Sequence, residues 1–208
     1  MARIEALFPT LLCRGALSGH AAMNRALLKD VASLRAADPV GRDWSKANYR
    51  GGYTSYASLT DLHYRTPAMA AFADRMQVEA ERFAKQLKWD LKGRRLRMTD
   101  CWMNVMPANT YHTLHLHPHS VLSGTYYVST PPGSIGLKLE DPRMPMYMNA
   151  PVRTGSGKHA LYFEVQPKAG HFVLFESWLR HEVPPNQSAK PRVSLAFNYS
   201  LEDEEEES

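Results

Sequence analysis

Cysteine is nearly absent from this 208-residue chain, which has only Cys13 and Cys101. That scarcity excludes a disulfide scaffold. Two thiols in apolar contexts point instead to a reducing, cytoplasmic setting. No apolar run approaches the roughly 20 residues that a membrane-crossing helix requires. The opening Met1-Ala2-Arg3-Ile4-Glu5 carries an early acid and leads into no apolar core, which argues against a signal peptide. Internal repeats are lacking, and low-complexity sequence is confined to the acidic residues 202–207. The densest basic cluster, Arg94-Arg95-Leu96-Arg97, has no interleaved aromatics, so nucleic acid is not an expected partner.

What is present suffices for one domain with a full core: 44% of residues are hydrophobic. The formal charge of +4 conceals an asymmetry. Six of the 21 acids lie in residues 202–207, leaving 15 against 25 Lys and Arg, or +10, on the rest of the chain. A solvated basic body with a disordered acidic tail over residues 201–208 is the plainest reading. A homodimer is compatible with this composition.

The first part of the chain, residues 1–93, has a helical pattern, and residues 94–200 have a strand pattern. Leu27, Leu28, Val31 and Leu34 keep helical spacing up to about Ala37, before Asp38-Pro39. Residues 43–56, with Gly51-Gly52 and Trp44, Tyr49 and Tyr53, read as an ordered loop that is a natural lid for a substrate site. Thr66-Pro67 pairs a capping hydroxyl with a proline suited to the first helical position. The helix it opens puts Met69, Phe72, Met76, Phe83 and Leu87 on one stripe facing a sheet. From Arg94 the period becomes two. Leu96 and Met98 share one parity and Cys101, Met103 and Val105 the other, which predicts a bulge near Thr99-Asp100 or a strand buried on both faces. Further strands are expected at 113–117, 123–129, 135–139, 160–166, 171–175, 182–184 and 192–199, separated by turn signals such as Pro131-Pro132-Gly133 and Lys168-Ala169-Gly170. About eight short strands with such turns suggest a jelly-roll barrel, with residues 144–158 looping over its mouth.

Chemistry concentrates in the second half. His115 and His117 share a strand face, because side chains alternate with period two. A third imidazole, His181, lies on a later strand, and Arg192 on the one after. Imidazole is the commonest metal ligand. Three imidazoles leave coordination positions open, and arginine grips a carboxylate with two prongs. The set describes a site for iron together with a keto acid. His119 follows Pro118 and leaves the strand, His112 has the wrong parity, and His20, His63, His159 and His171 belong to no constellation.

Residues 104–199 resemble the iron(II)/2-oxoglutarate-dependent dioxygenase superfamily, particularly bacterial oxygenases related to prolyl hydroxylases. The resemblance is carried by His115-Leu116-His117-Pro118, Leu122-Ser123-Gly124-Thr125-Tyr126-Tyr127-Val128, Asp141-Pro142-Arg143, Val173-Leu174-Phe175-Glu176-Ser177-Trp178-Leu179-Arg180-His181-Glu182-Val183 and Arg192-Val193-Ser194-Leu195-Ala196-Phe197-Asn198. It implies a double-stranded β-helix with helices packed on it. It also implies an enzyme that uses iron(II), with 2-oxoglutarate as cosubstrate, to hydroxylate a small molecule or peptide, releasing succinate and carbon dioxide. His115, His117 and His181 take the places of the iron ligands, and Arg192 that of the partner of the far carboxylate of 2-oxoglutarate. Ser194, on the same strand face, adds a hydroxyl to that carboxylate, Tyr127 takes the place of a tyrosine near it, and Asn104 is positioned to hydrogen-bond the keto acid.

The sequence departs from the superfamily at His117, where an aspartate or glutamate is usual. A three-histidine centre, a ligand borrowed from Asp141 or Glu140, and a metal site of altered activity all remain open at this level. Two other readings compete: a cupin-type metalloprotein that does not use 2-oxoglutarate, and a non-catalytic metal-binding barrel. Cupins commonly place a glutamate shortly after the histidine pair, whereas His119-Ser120-Val121-Leu122-Ser123 has none.

Overall fold

The computed structural model describes residues 1–153 and 157–203. Helices α1 (His20–Ala36), α2 (Pro39–Asn48) and α3 (Pro67–Gln86) precede most of the sheet. Ten strands follow the chain as β1 (Cys13–Ala16), β2 (Tyr53–Thr54), β3 (Arg94–Met106), β4 (His112–His115), β5 (Leu122–Ser129), β6 (Lys138–Glu140), β7 (Tyr162–Glu164), β8 (His171–Glu176), β9 (His181–Val183) and β10 (Arg192–Asp203). They form a six-stranded sheet of order β1-β8-β5-β10-β3-β2 and a four-stranded sheet of order β4-β9-β6-β7. The pairs are antiparallel. The sheets remain two separate layers and do not close into a barrel.

Alternation on the large sheet creates two different faces. Leu96, Met98, Cys101, Met103 and Val105 of β3, Leu122 and Tyr126 of β5, and Val193, Leu195, Phe197 and Tyr199 of β10 pack with Leu27, Val31, Met69, Phe72 and Met76 of the helices. A second cluster joins Met106, Tyr127, Val173 and Phe175 to Leu139 and Val183 of the small sheet. The protein thus has three layers: helices, large sheet, small sheet. Each fully buried side chain of this size contributes about 1.5–3 kcal/mol. Helical spacing in α3 and alternation in the strands are therefore satisfied by one interface. At Gly124, cross-strand from Phe197, a β-carbon would collide with the Phe197 ring, so glycine lets the ring lie flat on β5.

The parity switch in β3 is a bulge. Met98 pairs with Tyr199 and Asp100 with Asn198, leaving Thr99 without a partner. The extra residue returns Cys101, Met103 and Val105 to the helix-facing side that Leu96 and Met98 already occupy.

Four expectations need correction. Residues 43–48 belong to α2 rather than to a loop: Asp38 accepts from the Gly41 amide and Pro39 takes the first helical position, so the signal that ends α1 also starts α2. Residues 1–93 are not only helical, because β1 and β2 supply both edges of the large sheet. The acidic tail does not begin at 201. Leu201, Glu202 and Asp203 continue β10 opposite Leu96, Arg95 and Arg94, and Glu202 pairs with Arg97 at 3.0 Å. The basic cluster and the first tail acids thus neutralise each other across a sheet edge. Residues 204–208 lie outside the described residues, as do 154–156 of the expected mouth loop. Finally, the strand read as 113–117 stops at His115.

Candidate metal centre

Three imidazoles converge where β4 meets β9. His115 pairs with His181 across the two strands, and His117 follows β4 directly, its amide donating to the Ser177 carbonyl at 3.1 Å. One ligand atom of each ring lies within 4.8 Å of those of the other two. Ring centroids are 5.2 Å apart for His115–His117, 4.3 Å for His115–His181 and 5.1 Å for His117–His181.

Every ring is held by its Nδ1. His115 Nδ1 meets the Thr113 carbonyl at 2.6 Å, and His181 Nδ1 the Leu179 carbonyl at 2.9 Å. His117 Nδ1 meets Asn198 Oδ1 at 2.7 Å, an oxygen that also accepts from Ser123 Oγ at 2.9 Å. Acceptors at all three Nδ1 positions place the proton there and leave the Nε2 lone pairs free to bind metal. His117 Nε2 is buried with no partner among the described residues. That orphaned nitrogen and the all-imidazole donor set fit a borderline divalent ion such as iron(II). Trp102 stacks on His117 at 5.6 Å, and Phe175 meets His181 edge-on at 4.7 Å.

Burial keeps His117 and His181 neutral. It pushes His117 down to about 4, against a smaller opposing pull from Asn198. His181 is pushed down to about 3 by burial and then by His115. A neutral imidazole is the form that binds metal. His112 lines the same cavity, stacked on Tyr49 at 4.5 Å with Nε2 2.8 Å from the Tyr49 hydroxyl. Burial takes its pKa to about 3.

The site-facing side of the large sheet supplies the rest. Arg192 and Ser194 of β10 lie opposite Met106 and Asn104 of β3. Arg192 is buried; one Nη donates to the Ile135 carbonyl at 2.5 Å, the other touches Met106 Sδ at 2.8 Å and Ser194 Oγ at 3.4 Å, and Nε has no partner. Among the described residues no carboxylate pairs with it. Burial lowers its pKa, and its guanidinium lies 5.6 Å from the Tyr127 ring. The Tyr127 hydroxyl accepts from the Leu137 amide at 3.3 Å. Asn104 Oδ1 is buried and unpartnered.

The histidines, Arg192, Ser194 and Asn104 line one cavity of about 600 Å³ whose lining includes no aspartate or glutamate; Tyr127 lies behind Arg192 and does not line it. Asp141 is engaged by Arg143 at 2.8 Å and Glu140 by Arg180 at 3.1 Å, so neither supplies a ligand here. His119, exposed at φ 67°, is outside the cluster as well. Sequence reasoning overlooked Asn198, which orients His117. Its signal was parity: it shares a strand face with Arg192 and Ser194.

Two layered antiparallel sheets, outer helices and a three-histidine cluster between the layers define a double-stranded β-helix with a candidate metal centre. Residues 100–198 match the family described as "Putative 2OG-Fe(II) oxygenase". No curated protein sequence matches the chain. Among solved structures, a Pseudomonas putida prolyl-4-hydroxylase is 18% identical, with 92% of each chain covered and a TM-score of 0.62. HygX from Streptomyces hygroscopicus, with nickel and 2-oxoglutarate bound, is 13% identical over 92% of this chain and 83% of its own, at a TM-score of 0.64. The non-heme α-ketoglutarate-dependent epimerase SnoN of nogalamycin biosynthesis is 14% identical over 92% and 76%, at 0.66. These likenesses show the fold, and the match over residues 100–198 sets the sheet core of this chain beside the iron(II)- and 2-oxoglutarate-dependent oxygenases. No helix among the described residues is long and apolar enough to cross a membrane.

Proposed function

We propose that His115, His117 and His181 hold iron(II) through Nε2 as a three-histidine centre, and that Arg192 anchors the far carboxylate of 2-oxoglutarate. One observation carries this reading: a buried guanidinium with no anionic partner stands in the same acid-free cavity as three imidazoles whose Nε2 atoms are free. An unpaired buried cation is costly, and an incoming carboxylate removes that cost. Ser194 Oγ supports the same carboxylate, the Tyr127 ring covers the guanidinium, and the Asn104 amide donates to the keto-acid end. Phe175, Leu137 and Val183 give the cavity an apolar wall.

Held by the three histidines and Arg192, iron and 2-oxoglutarate would supply the oxidising chemistry, with release of succinate and carbon dioxide, for hydroxylation of a small molecule or peptide. The chain itself contributes ligand orientation, through Asn198 and the carbonyls of Thr113 and Leu179, and a carboxylate clamp of low dielectric. The free thiols Cys13 and Cys101 support a reducing, cytoplasmic location.

Anaerobic titration of the metal-free protein with iron(II), then 2-oxoglutarate, tests the assignment. A saturable weak visible band that Arg192→Ala abolishes is the expected result. Iron binding without the band would favour a cupin-type protein, and no iron binding would remove the metal centre.

A further inference from the structure

Four of the large apolar side chains exposed on this molecule gather at one place. Trp44, Tyr56, Tyr111 and Leu116 are 36%, 56%, 45% and 44% exposed, and all line the mouth of the metal cavity. Trp102 stands one layer deeper, edge-on to Tyr56 at 5.3 Å. Exposed apolar surface collected at a cavity mouth marks a binding face. Its aromatic character selects a flat apolar group, because stacked and edge-on ring contacts add to simple burial.

Charge narrows the ligand further. Arg50 reaches this mouth from the turn after α2, and no carboxylate pairs with it among the described residues. No acid lines the cavity. If the assignments above hold, iron(II) and the 2-oxoglutarate dianion cancel, three neutral imidazoles add nothing, and Arg192 leaves the loaded site one unit positive. Arg50 adds a second positive charge at the opening. Such a cavity draws in anions and repels cations.

We propose that the substrate is a small aromatic carboxylate, its ring held by Trp44, Tyr56 and Trp102 and its carboxylate by Arg50. The substrate class rests on the oxygenase reading, but the binding face stands on its own residues and is tested without metal.

Calorimetric titration of the metal-free protein with phenylacetate and indole-3-acetate, against the matched cations phenethylamine and tryptamine, gives the test. Saturable binding of at least one acid and of neither amine is expected. Arg50→Ala should weaken it about tenfold, the scale of one charge-assisted hydrogen-bonded contact, and Arg50→Lys should recover part of that loss. Trp44→Ala should weaken it as well, with circular dichroism unchanged for all three variants. Excess 2-oxoglutarate should leave the acid bound, whereas displacement would put it on Arg192 and overturn the proposal. Equal binding of the amines, binding unaffected by Arg50→Ala, or no binding of either acid would also overturn it. Because His181→Ala should spare this binding while removing metal, failure of the metal centre and failure of the aromatic mouth are read separately.

Discussion

Strand β10 presents two faces with different duties, and the contrast explains how one sheet supports both folding and chemistry. Toward the helices it shows Val193, Leu195, Phe197 and Tyr199, all buried against α1 and α3. Toward the small sheet it shows Arg192, Ser194, Ala196 and Asn198. The first face gains stability from every atom removed from water. The second buries a cation, a hydroxyl and an amide, which is unfavourable unless partners are supplied. Ser194 and Asn198 have them within the chain; Arg192 lacks an anion.

Substitutions on the two faces should therefore fail in different ways. Phe197→Ala, which empties a fully buried site beside Phe72 and Gly124, should cost about 3–5 kcal/mol of folding stability in urea unfolding. Iron affinity should survive in whatever fraction stays folded. Arg192→Ala should do the reverse, costing about 2–5 kcal/mol of 2-oxoglutarate affinity by calorimetry with folding stability unchanged or raised. A large drop in stability would mean that Arg192 serves the fold, and the contrast would break. Asn198→Ala releases the His117 ring and should weaken iron binding about 10–100-fold, read by competition with a chelator. Unchanged affinity would show that the stack on Trp102 alone positions the ring.

The last contrast is with pH. Burial lowers the folded pKa of His112, His117 and His181 from 6.5 to about 3, 4 and 3. The unfolded chain therefore binds more protons than the folded one between those limits. Stability from these three groups is fully present above pH 6.5 and is lost as the pH falls toward 4 and below. Denaturant midpoints of the metal-free protein should fall across that window, and the triple exchange of these histidines for glutamine should flatten the fall. A profile unaffected by the exchange would assign the acid sensitivity elsewhere.

Local pattern determined much of this protein. The Met69–Phe72–Met76–Phe83 stripe, the Thr66-Pro67 start, the bulge at Thr99 and the strand-face pairing of Arg192 with Ser194 could all be read, because helical and strand periodicities are set by backbone geometry within a few residues. The His115–His117 pair and His181 were legible from residue type, spacing and order along the chain, although β4 stops at His115. Short edges were not: β1 and β2 are four and two residues long, too few for a period to declare itself, and exist because β8 and β3 present unpaired edges to them. The sequence by itself thus determined which residues face which side and which could ligate metal. Only the tertiary structure decided that Asp141 and Glu140 are occupied by arginines elsewhere, that Asn198 holds His117, and that Arg50 opens onto the same cavity as the histidines. Those are encounters between residues far apart in the chain, and no local periodicity encodes them.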